Sequence, residues 1–182
     1  MKTIIINGSP RKNGNTAALT ERIVSLLKGD AKVISPYFMN IAPCTDCRFC
    51  YGENECIIKD DMTDIYGEIL SADNIILASP LYFSELTSGV LAMASRFQLF
   101  YTSRYIRHDI KEIKEKKAAV ILVGGGSSKT DEKALSTASI ILSSINAKVV
   151  DTLSYINTDH LPAAEDDTVL LRLNEIAEKL IL

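Results

Sequence analysis

The chain has 182 residues, 47% of them apolar and 24% charged, with a net charge of −3 at neutral pH. That length suits one domain with its own hydrophobic core and excludes a chain disordered throughout. The acidic balance argues against nucleic acid as a partner, which needs a basic face. No segment reaches the roughly 18 apolar residues of a membrane span, so no membrane partner is expected.

Taken in order, the first apolar run is Thr3–Ile6. It is too short for a signal peptide, and a cytoplasmic location is expected. The loop Asn7-Gly8-Ser9-Pro10-Arg11-Lys12-Asn13-Gly14-Asn15-Thr16 follows, and then a one-sided stripe at Leu19, Ile23, Leu26 and Leu27 predicts a helix. Lys32–Ile34 is the second strand. Residues 36–59 form the longest irregular segment and hold all four cysteines, Cys44, Cys47, Cys50 and Cys56; a loop of that length in a compact domain is usually functional. Asp60 or Asp61 is expected to cap a helix carrying Met62, Ile65, Ile69 and Leu70. Asn74–Ala78 is the third strand, followed by a helical stripe of Val90, Ala94, Phe97 and Tyr101. The charged stretch 104–117 reads as a solvated helical extension. Ala118–Val123 is the fourth strand, ending at Gly124-Gly125-Gly126-Ser127. A serine-rich helix carries Leu135, Ala138, Leu142 and Ile145, Lys148–Leu153 is the fifth strand, and Val169 to Leu180 marks the last helix.

Strands that are apolar on both faces, alternating with one-sided helices, predict an α/β fold: a three-layer, doubly wound, five-stranded parallel sheet in the order 2-1-3-4-5. No linker or repeat divides residues 1–182, so one domain with a Cys-rich loop is expected. Ligands of such sheets bind at the carboxyl edge where the strand order reverses. The loops beginning at Gly8 and Pro80 should flank that point, with the loop at Gly124 bordering it.

The first loop has the chemistry of a phosphate cradle. It joins a buried strand to a helix N-terminus, and Ser9, Asn13, Asn15, Thr16 and Arg11 supply donors. A plain turn with Thr16 as helix cap is the alternative. It is not a Walker loop, because Asn15 stands where that motif has lysine. The run Cys44-x2-Cys47-x2-Cys50-x5-Cys56 opens like a ferredoxin cluster motif, but its last spacing is longer. A [4Fe-4S] cluster, metal-free thiols and zinc all remain open. His108 and His160 fall outside every motif, and no catalytic acid or base is assigned.

Residues 8–16 resemble the phosphate loop of the flavodoxin-like, NAD(P)H-dependent FMN reductases. Ser79-Pro80-Leu81-Tyr82-Phe83-Ser84, with Gly89, Leu91 and Arg96, resembles their second flavin loop and the helix after it. The cysteine run with Asp60-Asp61-Met62 resembles the iron–sulfur flavoprotein branch. The resemblance implies that Ser9, Arg11, Asn13, Asn15 and Thr16 hold the FMN phosphate. It implies further that Pro80, Leu81, Tyr82, Phe83, Ser84, Gly124, Gly125, Gly126 and Ser127 border the flavin ring. The expected activity is electron transfer from NAD(P)H through FMN to a small acceptor (a quinone, free flavin or azo compound), in a homodimer or tetramer. An FMN/[4Fe-4S] electron carrier fed by ferredoxin is the alternative. Members of the family often have Lys after Leu91 and Asp before Arg96; Ala92 and Ser95 stand there instead, positions expected on the helix surface or in subunit packing.

Overall fold

The computed structural model describes residues 1–109, 113–126 and 131–181. The order is β1 (Lys2–Asn7), α1 (Asn15–Leu26), β2 (Asp30–Ile34), α2 (Met62–Ser71), β3 (Asn74–Pro80), α3 (Ser88–Ser95), α4 (Gln98–Thr102), β4 (Lys116–Gly124), α5 (Glu132–Ser144), β5 (Ala147–Ile156) and α6 (Asp167–Ile181). The five strands form one parallel sheet in the order β2-β1-β3-β4-β5, as the alternation of runs and stripes predicts.

The side-chain period of two explains why the strands are apolar throughout. Ile4, Ile6, Ile75, Leu77, Val120 and Leu122 face a core closed by Met62, Ile65 and Ile69 of α2, Val90 and Met93 of α3, and Ala138 and Leu142 of α5. Their neighbours Ile5, Ile76, Ala119 and Ile121 face the opposite core, closed by Leu19 and Ile23 of α1 and Val169, Leu173 and Ile176 of α6. Strand β2 lies at the edge, so Val33 is exposed while Ile34 is buried. Among the described residues, no helix is long and apolar enough to cross a membrane.

Two expectations are corrected. The stripe from Val90 to Tyr101 is not one helix. Arg96 N–H bonds Met93 O at 3.0 Å and Phe97 N–H bonds Ala94 O at 2.9 Å, and these tighter turns separate α3 from α4. The break keeps Phe97 and Phe100 in the core and leaves Tyr101 exposed. The charged stretch 104–117 is not uniformly solvated either. Ser103–Arg107 is a π-helical turn whose Arg107 side chain is 8% exposed, and Lys116 is 1% exposed; residues 110–112 lie outside the described residues.

Lys116 Nζ donates to Lys114 O at 2.7 Å and Ile145 O at 3.5 Å. Among the described residues no carboxylate pairs with it. Burial pushes its ammonium down to about 8, and the charge on Lys114 adds to the effect. The folded pKa lies below the unfolded one, so between the two the unfolded chain holds a proton that the folded chain has lost. Stability therefore rises with pH across that window. Relative to Lys116→Met, the native chain should gain about 3 kcal/mol, at 1.36 kcal/mol per pKa unit, between pH 8 and 10.5. Urea denaturation at the two pH values checks this, and a constant difference between the chains would refute it.

Candidate functional site

At the carboxyl edge, between the loops after β1 and β3, lies a cleft of about 550 Å³, within the roughly 300–1,000 Å³ of small-molecule sites. Ser9, Arg11, Asn13, Asn15 and Thr16 all line it, as do Pro80, Leu81, Tyr82, Gly124 and Gly125. The first loop can approach α3 only because residue 8 has no side chain. Gly8 N–H bonds Ala78 O at 2.7 Å, and Thr87 Oγ1 donates to Gly8 O at 2.8 Å. An added Cβ would stand 2.5 Å from Val90 Cγ2. Ser9 Oγ donates to Arg11 O at 2.8 Å and accepts Arg11 N–H at 3.1 Å, so this hydroxyl shapes the loop. The cap of α1 is Gly14, not Thr16, and no side chain bonds the first-turn N–H groups. The positive end of the helix favours an anion there.

The second loop is a tight hairpin. Tyr82 and Glu85 exchange N–H···O bonds of 2.9 and 3.0 Å. The two residues between them, Phe83 and Ser84, have φ of 54° and 62°, a conformation usually left to Asn-Gly. Phe83 stands fully exposed at the tip, and both residues lie outside the cleft lining. In the third loop, Gly126 N–H is taken up by Asp159 Oδ2 at 2.9 Å, and a Cβ on Gly125 would meet Asp159 Oδ1 at 2.3 Å. Ser127 lies outside the described residues. Sequence reasoning missed the segment after β5, which adds Thr158, Pro162 and Glu165 to the lining. Asn15 Oδ1 accepts Ala163 N–H at 2.8 Å and holds that segment against α1. Its only signal was topological, since β5 ends on the same sheet edge.

The cysteine loop between β2 and α2 is a second centre. Cys44, Cys47, Cys50 and Cys56 line one hollow together with Tyr66, Arg96 and Leu99, and all four are free thiols. Arg96 clamps both feet of the loop. Its Nη1 donates to Ala42 O at 2.9 Å and Asp60 Oδ2 at 2.8 Å, and its Nη2 donates to Ile58 O at 3.0 Å. The two charged side chains are 1% and 4% exposed. Burial raises the Asp60 carboxyl, but Arg96 and the N–H groups of Ala42 and Met62 more than reverse this and hold it below its ordinary value. Burial likewise opposes charge on Arg96, yet Asp60, with Tyr66 and Cys56 nearby, leaves it firmly protonated. Asp60 Oδ1 also accepts Met62 N–H at 3.1 Å just before α2, whose N-cap is Asp61 with no side-chain cap bond, while Asp61 Oδ2 holds Asn40 N–H at 2.8 Å.

Ser95 is corrected from a surface or packing position to an anchor, because its Oγ accepts Cys44 N–H at 2.9 Å. Cys44 Sγ in turn accepts Asp46 N–H at 3.4 Å. Arg107 braces the other side through Cys50 O and, at 3.2 Å, Asn54 Oδ1. Among the described residues no three His, Cys, Asp or Glu form a group that could hold a metal ion as the side chains stand.

Comparison with known proteins agrees with this architecture. The profile of the NADPH-dependent FMN reductase family matches residues 1–160. An iron–sulfur flavoprotein of Methanosarcina thermophila is 30% identical, over 99% of this chain and 93% of its own length. A second, from Methanocaldococcus jannaschii, is 35% identical over 53% of this chain, and the match spans 51% of that protein. Among solved structures, a flavone reductase superposes with a TM-score of 0.74 at 18% identity, over 99% of this chain and 62% of its own, and shares the fold.

Breaking a buried ion pair from one side leaves an uncompensated charge, at a cost of about 3–5 kcal/mol. Asp60→Ala should lose that much stability in urea denaturation and open residues 42–58 to limited proteolysis. Its coupling to Arg96→Met should make the double variant's loss smaller than the sum of the single losses. A loss below about 1 kcal/mol for Asp60→Ala would show that the clamp contributes little.

Proposed function

Because the chain belongs to the NADPH-dependent FMN reductase family, and to its iron–sulfur flavoprotein branch, we propose that it is an oxidoreductase that carries electrons from NAD(P)H through FMN to a small acceptor such as a quinone, free flavin or azo compound. The observation that carries this reading is the first turn of α1, whose N–H groups no side chain bonds and which opens on the cleft where the strand order reverses. A bound flavin supplies the hydride and electron chemistry, and the protein supplies binding, orientation and electrostatics.

The N–H groups of the first turn of α1, with Asn13 and the Thr16 hydroxyl, would receive the phosphate. Arg11, exposed at the rim, adds positive charge, and Ser9 keeps the loop in shape. Pro80, Leu81 and Tyr82 would wall the ring on one side, with Gly124 and Gly125 on the other. Phe83 and Ser84 would border the entrance from the hairpin tip. Both histidines are exposed and line no part of this cleft, and the transfer calls for no protein general acid. The chain is proposed to work in the cytoplasm as a homodimer or tetramer.

One observation favours a second, electron-carrier reading. Four thiols share one hollow, braced by the buried Arg96 and by the half-buried Arg107. Cys44, Cys47, Cys50 and Cys56 fit a [4Fe-4S] cluster by donor type, by the N–H···S bond to Cys44 and by the shared lining. Such a cluster would supply single electrons, and a ferredoxin would then be the donor.

Two outcomes test these readings. Protein purified without oxygen should carry FMN, and Thr16→Val should weaken FMN by about 1–3 kcal/mol through loss of one donor to a charged phosphate. In stopped flow, NADH or NADPH should bleach the flavin. Bleaching by reduced ferredoxin but by neither nicotinamide would favour the carrier. For the cysteines, anaerobic reconstitution should give about four irons per chain and a paramagnetic signal on reduction. Each Cys→Ser variant should lose most of the iron and keep FMN. Protein that takes up no iron would leave four plain thiols.

A further inference from the structure

The Arg96 side chain is buried, and its guanidinium carries five N–H groups. The Nη atoms find Ala42 O, Asp60 Oδ2 and Ile58 O. Nε has no partner. Among the described residues one other buried side-chain oxygen or nitrogen lacks a hydrogen bond, Glu68 Oε2, and it stands 2.5 Å from Lys2 Nζ. Arg96 Nε is thus an isolated case. A buried donor without an acceptor is rare in folded proteins, and it is costlier when charged. Arg96 lines the same hollow as the four cysteines, with Thr45, Asp46, Tyr66 and Gln98 beside them, and the four sulfurs are the groups there that would hold an iron–sulfur cluster. A thiol is a weak acceptor, whereas a thiolate or a cluster sulfide is a good one for a cationic N–H.

We propose that Arg96 Nε–H donates a hydrogen bond to a sulfur of the group held by Cys44, Cys47, Cys50 and Cys56, and thereby raises the reduction potential of that group. The inference rests on the [4Fe-4S] reading of the cysteines. An N–H donor to sulfur favours the reduced state because that state carries the extra negative charge. The charge of Arg96 is already balanced by Asp60, so the directed N–H distinguishes Arg96 from any buried cation. Its position serves this role. It directly follows Ser95, which anchors Cys44, and its Nη atoms grip Ala42 and Ile58 on either side of the cysteine run. Arg96 is a positioning residue, distinct from the four ligands.

The test uses reconstituted, FMN-loaded protein carrying 15N at arginine Nε, reduced without oxygen. Iron content is read first: a native chain without iron overturns the cluster reading and this inference with it. In iron-loaded native protein, pulsed EPR should show a hyperfine coupling from the cluster spin to 15Nε. The coupling should vanish in Arg96→Lys, which keeps a cation for Asp60 and removes the Nε–H. Arg107 Nε, already bonded to Asp109, should not supply it. Arg96→Lys should also make the reduction equilibrium about tenfold less favourable, a shift of 59 mV to lower potential for one electron. Asp60→Asn weakens the same clamp but keeps the Nε–H, so it should retain the coupling and most of the potential. Iron-loaded native protein without the coupling, or a coupling that survives in Arg96→Lys, would overturn the inference. If Arg96→Lys does not fold, the native spectrum decides alone.

Discussion

The structure depends on one constraint, the reversal of strand order around β1. This strand pairs with both β2 and β3, so the chain leaves it for one side and later returns on the other. The loops after β1 and β3 must therefore part at their carboxyl ends, and no helix crosses the gap between them. The cleft is a consequence of topology, lined by whatever residues those turns carry. The two apolar layers hold this arrangement in place, because a slip of one residue in any central strand would exchange the sets that face α1 and α6 and those that face α2, α3 and α5.

The short helix α3 connects the two centres. At its N-terminal end Thr87 holds the carbonyl of Gly8 in the first loop. At its C-terminal end Ser95 and Arg96 hold the cysteine loop. Eight residues at about 1.5 Å each separate these grips, so the anchors of the cleft and of the thiol hollow are fixed about 12 Å apart by one rigid element. A change at the Arg96–Asp60 pair therefore acts on the cysteine loop directly and on the cleft only through the helix. The break after Ser95 belongs to the same design, because a helix continuing from Val90 to Tyr101 would have no turn at Arg96.

Much of this was legible in the residues themselves. Uninterrupted runs such as Ile4–Ile6 and Ala118–Val123 can be satisfied only by a sheet covered on both faces, which is why sheet type and strand order followed from pattern. The loop Gly8–Thr16 was legible as a candidate cradle because holding an anion would need backbone N–H groups and short side chains, and both leave a composition signature. The roles of Ser95, Arg96 and Arg107 were less legible. Each works through a partner about forty to sixty positions away, and no local periodicity records such a partner. Lys116 misled for a similar reason. Its neighbours in sequence are charged, while its neighbours in space are backbone carbonyls.

The sequence by itself determined the layers, the strand order and the gathering of all four cysteines in one loop, since these rest on hydrophobic period and on residues contiguous in the chain. Only the tertiary structure decided that Phe83 stands out in solvent, that Gly14 rather than Thr16 caps α1, that the segment after β5 completes the cleft, and that Arg96 is buried beside the thiols with one N–H unspent. The physical reason is the same in each case. A hydrogen bond or a burial depends on a few ångströms between atoms that the chain brings together from distant positions, and that distance exists only once the sheet has closed.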